Sequence, residues 1–248
     1  MRIPLIPISA VLHVGTLNEA DVGRNSGAFS LEGRALSVSV HPEAWIRIAR
    51  LGGLPIHRLT RKDGLLLDVL ALDELPETRN AILERARELG LLVDRERWEA
   101  KSFDDELDDV IVSIHETEAK ARLEIDLDDD EDGDDERGVR KVTVSVATPA
   151  LAEKVAADPG KFRAEGRTAE DFAIMEWAEN VLPRKLGRRI DGVWWRETLD
   201  PDRLSAPRGA LFRSQAKGWN AEKTTPNDAR VPKTRLEDID EQAKEKRS

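Results

Sequence analysis

Apolar and polar positions alternate along much of the chain with periods that assign most of its elements. Residues 5–14 are an apolar, β-branched run that prolines introduce, which predicts a buried strand. Residues 18–27 are rich in Gly, Asn, Asp and Ser and read as a loop. The stretch Ala35-Leu36-Ser37-Val38-Ser39-Val40 alternates with period two, the pattern of a half-buried strand. His41-Pro42-Glu43 then opens a helix, with the proline in its first turn and Gly52-Gly53 at its end. Residues 54–72 carry one or two short strands. Residues 76–90 read as a helix with Thr78 as N-cap and Gly90 as its stop.

Beyond this point the pattern is less regular. Trp98 stands in a charged segment, and Val110-Ile111-Val112 is a short strand candidate. Residues 121–127 and 139–147 both alternate in the β manner and read as two paired strands. Between them, residues 128–137 form an acidic hairpin loop that repels itself and stays solvated. Calcium binding is the functional alternative for this loop, but it lacks the spaced carboxylates and closing Glu of an EF-hand. Residues 148–157 and 168–182 are helices, the second with Pro183 just beyond it, and 190–195 and 209–212 are strands. From residue 221 to 248 scattered aliphatic residues amid dense charge predict a disordered or loosely helical polar tail, leaving residues 1–220 as one α+β domain.

Composition narrows the chemistry. The 248 residues contain no cysteine and four histidines, so disulfides and thiolate or His-rich metal sites are not expected, and a reducing, cytoplasmic setting is. The net charge of −10 argues against non-specific binding to duplex DNA, which depends on neutralising phosphates. No apolar stretch approaches the roughly 20 residues of a membrane-spanning helix, and no membrane role is expected.

Three segments stand out in order. Leu12-His13-Val14-Gly15-Thr16 is a strand ending in His-x-Gly-Thr. Gly33-Arg34-Ala35-Leu36-Ser37-Val38-Ser39 runs into the helix carrying Trp45. Asp191-Gly192-Val193-Trp194-Trp195 precedes Pro207-Arg208-Gly209-Ala210-Leu211-Phe212. Together they resemble the ADP-ribosyltransferase superfold, which includes the RNA 2′-phosphotransferases; the resemblance covers roughly residues 10–50 and 170–215. It implies an ADP-ribosyltransferase-like split β-sheet core with flanking helices. It also implies a protein that takes NAD as a substrate and transfers ADP-ribose to an unknown macromolecular target or hydrolyses NAD.

By the same resemblance, His13 donates a hydrogen bond to a ribose hydroxyl, and Gly15 and Thr16 let the backbone approach the ligand. Ser37 stands where the family often carries Tyr beside the nicotinamide, and Arg34, Trp45 and Trp195 complete the binding set. Cleaving nicotinamide from ribose develops an oxocarbenium-like cation, so such a site needs orientation more than a strong nucleophile. The chain departs from the family at the start of the last motif strand. Active transferases place a Glu there, whereas this sequence has Pro207-Arg208-Gly209, and its nearest carboxylate is Glu197.

Two alternatives follow from that departure. Arg208 with Arg34 suggests a phosphate-gripping pair and RNA 2′-phosphotransferase-like activity. A catalytically inactive form of the fold, working as an interaction module through its acidic surface, is the other.

Overall fold

A proline-introduced apolar run, an alternating run and a Trp-bearing strand from the far end of the chain share one sheet. The computed structural model describes residues 2–17, 34–48, 50–104, 109–126, 138–156, 158–195 and 206–225. In chain order the elements are β1 (Leu5–Val14), β2 (Leu36–Ser39), α1 (Pro42–Ile48), β3 (Ile56–Asp68), a 3-10 turn (Leu70–Leu72), α2 (Pro76–Glu88), β4 (Leu92–Asp104) and β5 (Asp109–His115). There follow α3 (Glu118–Asp126), β6 (Gly138–Ala147), α4 (Pro149–Val155), α5 (Gly166–Asn180), α6 (Leu182–Leu186), β7 (Gly192–Trp195), β8 (Arg208–Leu211), α7 (Arg213–Ala216) and β9 (Asn220–Thr224). The protein is a mixed α+β structure.

Strand pairing in the larger sheet closes on itself. β1 pairs with β2 and β3, β2 with β8, β8 with β7, and β7 with β3, so five strands complete a ring; β9 adds to β3 outside it. Among the described strands, β3 and β7 are the pair that runs parallel. Closure removes the exposed hydrogen-bonding edges that invite association. Alternation then divides each strand. Ile6, Ile8, Val11, Leu36, Val38, Leu59, Leu66, Trp194 and Leu211 point into the ring, with Trp219 packed against them. Leu65, Leu67, Val193, Trp195 and Ala210 face outward into a larger cluster built on Phe172, Ile174 and Trp177 of α5 and Ile82 and Leu83 of α2.

The second sheet has the order β5-β4-β6, and α5 packs against both β6 and β7, joining it to the ring. Among the described residues, no helix is long and apolar enough to cross a membrane.

Several expectations are corrected. Residues 121–126 do not form a strand: Glu118–Asp126 is a helix, so no strand precedes the acidic segment to pair with β6, which pairs with β4 instead. The Thr117 hydroxyl accepts from Lys120 N at 3.3 Å, and Glu118 and Arg122 pair one turn apart at 2.7 Å, both favouring helix over the period-two pattern. Trp98 lies in the 13-residue strand β4, and residues 54–72 hold one 13-residue strand rather than short ones. α2 starts after Leu75 with Pro76 in its first turn; the Thr78 hydroxyl donates to the Arg2 carbonyl at 3.3 Å and does not cap. Residues 168–182 break at Val181, and Pro183 opens α6. The polar tail does not begin at 221, because Asn220–Thr224 pairs with Ile56–Thr60 of β3. The loop at 18–27, the acidic segment 128–137 and residues 226–248 lie outside the described residues.

An ion network built on buried Arg79 and Asp171 fastens α5 to α2 and the second sheet. Arg79 pairs with Glu170 and Asp73, Arg167 with Asp73 and Asp171, and the Ser145 hydroxyl donates to Glu170 at 3.2 Å. Burial of Asp171 outweighs the nearby Arg167 and Arg79 cations and pushes its carboxyl up from 3.8 to about 6. A folded-state value above the unfolded one means the native protein holds the proton more tightly. Asp171 therefore contributes stability at low pH that is lost as pH rises through about 6, with no further change above. The loss amounts to roughly 3 kcal/mol at most. Urea unfolding between about pH 4 and 8 is expected to show wild type losing more stability than Asp171→Asn below about pH 6.5. A difference between the two that does not vary with pH would refute this.

Candidate functional site

His13 occupies the next-to-last position of β1 and faces the same way as Val11, toward the inside of the ring at one end. β1 and β2 meet at a single ladder pair, Leu12 and Ser39, and then diverge. His13 bridges the divergence: its Nδ1 lies 2.7 Å from the Ser37 carbonyl oxygen, and its Nε2 lies 3.2 Å from that of Thr16. A neutral imidazole has one N–H, and the shorter contact assigns it to Nδ1. The Nε2 lone pair then faces the Thr16 oxygen, a contact that becomes a hydrogen bond only in the imidazolium.

Burial holds the His13 imidazole below its ordinary value despite both carbonyls, and neighbouring His57 lowers it further. His57, the ladder partner of His13, stacks on it with ring centroids 6.4 Å apart. Its own value is also lowered, by burial first and by Lys223 of β9 second.

Gly15 is required beside this ring. Its φ is +135°, and a Cβ there would lie 3.2 Å from His13 Nε2. Any other residue would strain the backbone and crowd the imidazole. The Gly15 N–H donates to the Pro55 carbonyl at 2.9 Å, fixing the chain as it leaves β1.

Arg208, Trp45 and Trp195 form a second group. Arg208 and Trp195 are ladder partners on β8 and β7, and both face outward with Ala210 and Val193. The Arg208 guanidinium carbon lies 5.4 Å from the Trp195 ring centre and 5.8 Å from that of Trp45, so two indoles hold its faces. Each stacking contact contributes on the order of 1 kcal/mol. The indole N–H groups of Trp45 and Trp195 are buried without an acceptor among the described residues. The Ser39 hydroxyl beneath this group donates to Pro207 O at 2.6 Å and accepts from His41 N at 3.0 Å, tying the start of α1 to β8.

Arg34 lies apart from both groups. Its Nε donates to the Ala156 carbonyl at 2.7 Å, and it precedes Leu36, which pairs with Leu211, while Arg208 pairs with Ser39. The two arginines thus flank opposite ends of the β2–β8 ladder. Of the sequence-derived site residues, the structure brings together His13, Gly15, Thr16 and Ser37 in one place, and Trp45, Trp195 and Arg208 in another. Glu197 lies outside the described residues.

Sequence reasoning missed His57 and Asp191. His57 had no partner at useful spacing along the chain; its partner is across the ladder. Asp191 was visible only as half of an Asp-Gly motif, yet it is fully buried. Its carboxylate accepts from Leu65 N at 2.9 Å and Arg189 Nε at 2.8 Å and lies 3.3 Å from Arg61 Nη1. Gly192 beside it leaves room for the Ala210 carbonyl, which a Cβ would overlap. The motif is thus a structural clamp between β3, β7 and β8.

Among the described residues, no group of three or more His, Cys, Asp and Glu side chains is placed to hold a metal ion. Comparison with known protein families, with curated proteins and with solved structures finds no match to this chain.

Proposed function

We propose that this chain is an ADP-ribosyltransferase-like protein that binds NAD at the His13 end of the ring. The observation that carries the reading is the 2.7 Å contact between His13 Nδ1 and the Ser37 carbonyl. It joins two segments singled out by the sequence at one imidazole. With the proton on Nδ1, Nε2 accepts from a ribose hydroxyl instead of donating to it as the resemblance implies, in the place now filled by the Thr16 carbonyl. Binding would therefore require the backbone at Thr16 to shift, and Gly15 gives it the freedom to do so. Orienting the ribose is what cleavage of the nicotinamide bond needs.

A second reading is an interaction module on the same fold without catalysis. The observation favouring it is Arg208, which stands where active transferases carry a Glu and is clasped between Trp45 and Trp195.

Calorimetric titration with NAD, paired with chromatographic detection of nicotinamide, tests the first reading. Binding is expected in the wild type, weakened about tenfold or more in His13→Gln and His13→Ala, with melting temperatures recorded alongside. Binding and slow nicotinamide release together support the transferase reading; binding without release supports the module. Absence of NAD binding by a folded wild type would end the first reading.

A further inference from the structure

A cavity of about 480 Å³ opens where the lead into β2, α4, α5 and α7 meet. Its size is within the range of small-molecule sites. Its floor is apolar, made by Ala35, Val155, Met175 and Phe212, all buried.

The charges on its wall differ in what they already hold. Lys154 and Glu176 neutralise each other at 3.0 Å. Arg213 and Lys217 also line the cavity and make contacts of their own. Arg34 and Glu179, both half-buried, are left. Arg34 uses its Nε, which donates to the Ala156 carbonyl at 2.7 Å. Its two Nη groups have no protein partner among the described residues and are not shut away from solvent, so they open onto the cavity. Glu179 accepts from the Ser214 hydroxyl through Oε1 at 2.6 Å, and no cation among the described residues pairs with it. The two groups are neighbours in the fold. Glu179 stands one turn of α5 beyond Glu176, and Lys154 ties Glu176 to the same end of α4 whose Ala156 carbonyl holds Arg34. One guanidinium and one carboxylate, each without an opposite charge from the described residues, therefore border a single apolar floor.

We propose that this cavity binds a free α-amino acid with an apolar side chain. The ligand carboxylate would accept from the Arg34 Nη groups, the two-pronged fit that a guanidinium favours. The ammonium group would donate to Glu179 Oε2, and the side chain would cover Met175 and Phe212. A zwitterion built around one carbon answers both wall groups at once. A simple acid would bring its charge against Glu179, and a simple amine would bring its charge against Arg34. This inference does not rest on NAD binding at His13.

L-Leucine is the probe, followed by calorimetry and by amide shifts in NMR spectra of the full chain. Isocaproate lacks the ammonium group, isoamylamine lacks the carboxylate and glycine lacks the side chain; these are the comparison arms. Leucine is expected to bind about tenfold or more tightly than each of them. Glu179→Gln keeps an acceptor for Ser214 and is expected to leave the melting temperature unchanged. It should weaken leucine about tenfold or more without weakening isocaproate. Arg34→Gln is expected to show the crossed pattern, weakening leucine and isocaproate but not isoamylamine. No leucine binding by folded wild type up to about 10 mM, equal affinity for isocaproate, or indifference of leucine to Glu179→Gln would overturn the proposal.

Discussion

Asp191→Ala is expected to cost about 3–5 kcal/mol of folding stability, the range for breaking a buried ion pair by removing one partner. The carboxylate has no solvent exposure; the Leu65 amide and Arg189 Nε donate to it, and the Arg61 guanidinium pairs with it at 3.3 Å. Its own backbone extends the same seam, with Asp191 N donating to Leu65 O at 2.8 Å and Phe212 N donating to Asp191 O at 2.9 Å. Alanine leaves the Leu65 N–H without its acceptor and the Arg61 guanidinium without its counter-charge, in a place that water does not reach. Asn should recover part of the loss, because its carbonyl oxygen can still accept from Leu65 while the charge is gone. Urea unfolding of the three proteins reads this order directly. If alanine costs under about 1 kcal/mol, the ordinary range for a neutral hydrogen bond, the clamp is not what holds β7 to β3.

Trp194→Ala is expected to cost a similar amount, about 3–5 kcal/mol, by a different route. Trp194 is the largest fully buried side chain among the described residues and fills the ring from β7. Gly209 across the ladder makes room for it: a Cβ there would lie 3.0 Å from Trp194 Cζ3 and 2.7 Å from the Val193 carbonyl. The β3, β7 and β8 ladders around Trp194 hold the wall of the ring in place, which limits its collapse onto the space an indole vacates. Thermal melts together with near-ultraviolet dichroism report both the loss of stability and the loss of this indole's fixed environment. Trp195, one residue along, faces outward, and Trp195→Ala should also remove the stacking on Arg208. A Trp194→Ala protein that melts within a degree or two of wild type would show that the ring is not packed around this residue.

What could be read from sequence follows from how strongly burial sorts the side chains. β2 and β6 declared themselves by alternation of apolar and polar positions, and β1 and the β7–β8 region by apolar runs buried on both faces. α5 declared itself because buried Phe172, Met175 and Ala178 recur at helical spacing. β4 did not: Leu92-Val93-Asp94-Arg95-Glu96-Arg97-Trp98 is charged on both faces, and ion pairs such as Glu96–Lys141 and Glu99–Arg140 join it to β6. β9 is exposed along nearly its whole length and was invisible for the same reason. α3 misled in the opposite direction. Ala121, Leu123 and Ile125 alternate as a strand would, but only Ala121 is fully buried and Leu123 is 60% exposed. At the candidate site, the sequence indicated which residues were unusual but not which face of the sheet each would take. That depends on the β1 bulge between Ile8 and Ala10 and on ring closure, neither of which has a local signature.

Ring closure also orders events during synthesis. β4, β5, α3 and β6 are contiguous, so the smaller sheet can assemble as soon as residue 147 has left the ribosome. β1, β2 and β3 emerge before it yet must wait, because the strands that complete their circle are β7 and β8, more than a hundred residues downstream of β3. Until then the nascent chain carries an open, strongly apolar half-circle. Co-translational folding of this protein is thus expected to proceed from its middle outward, with the earliest-made strands among the last to be sealed.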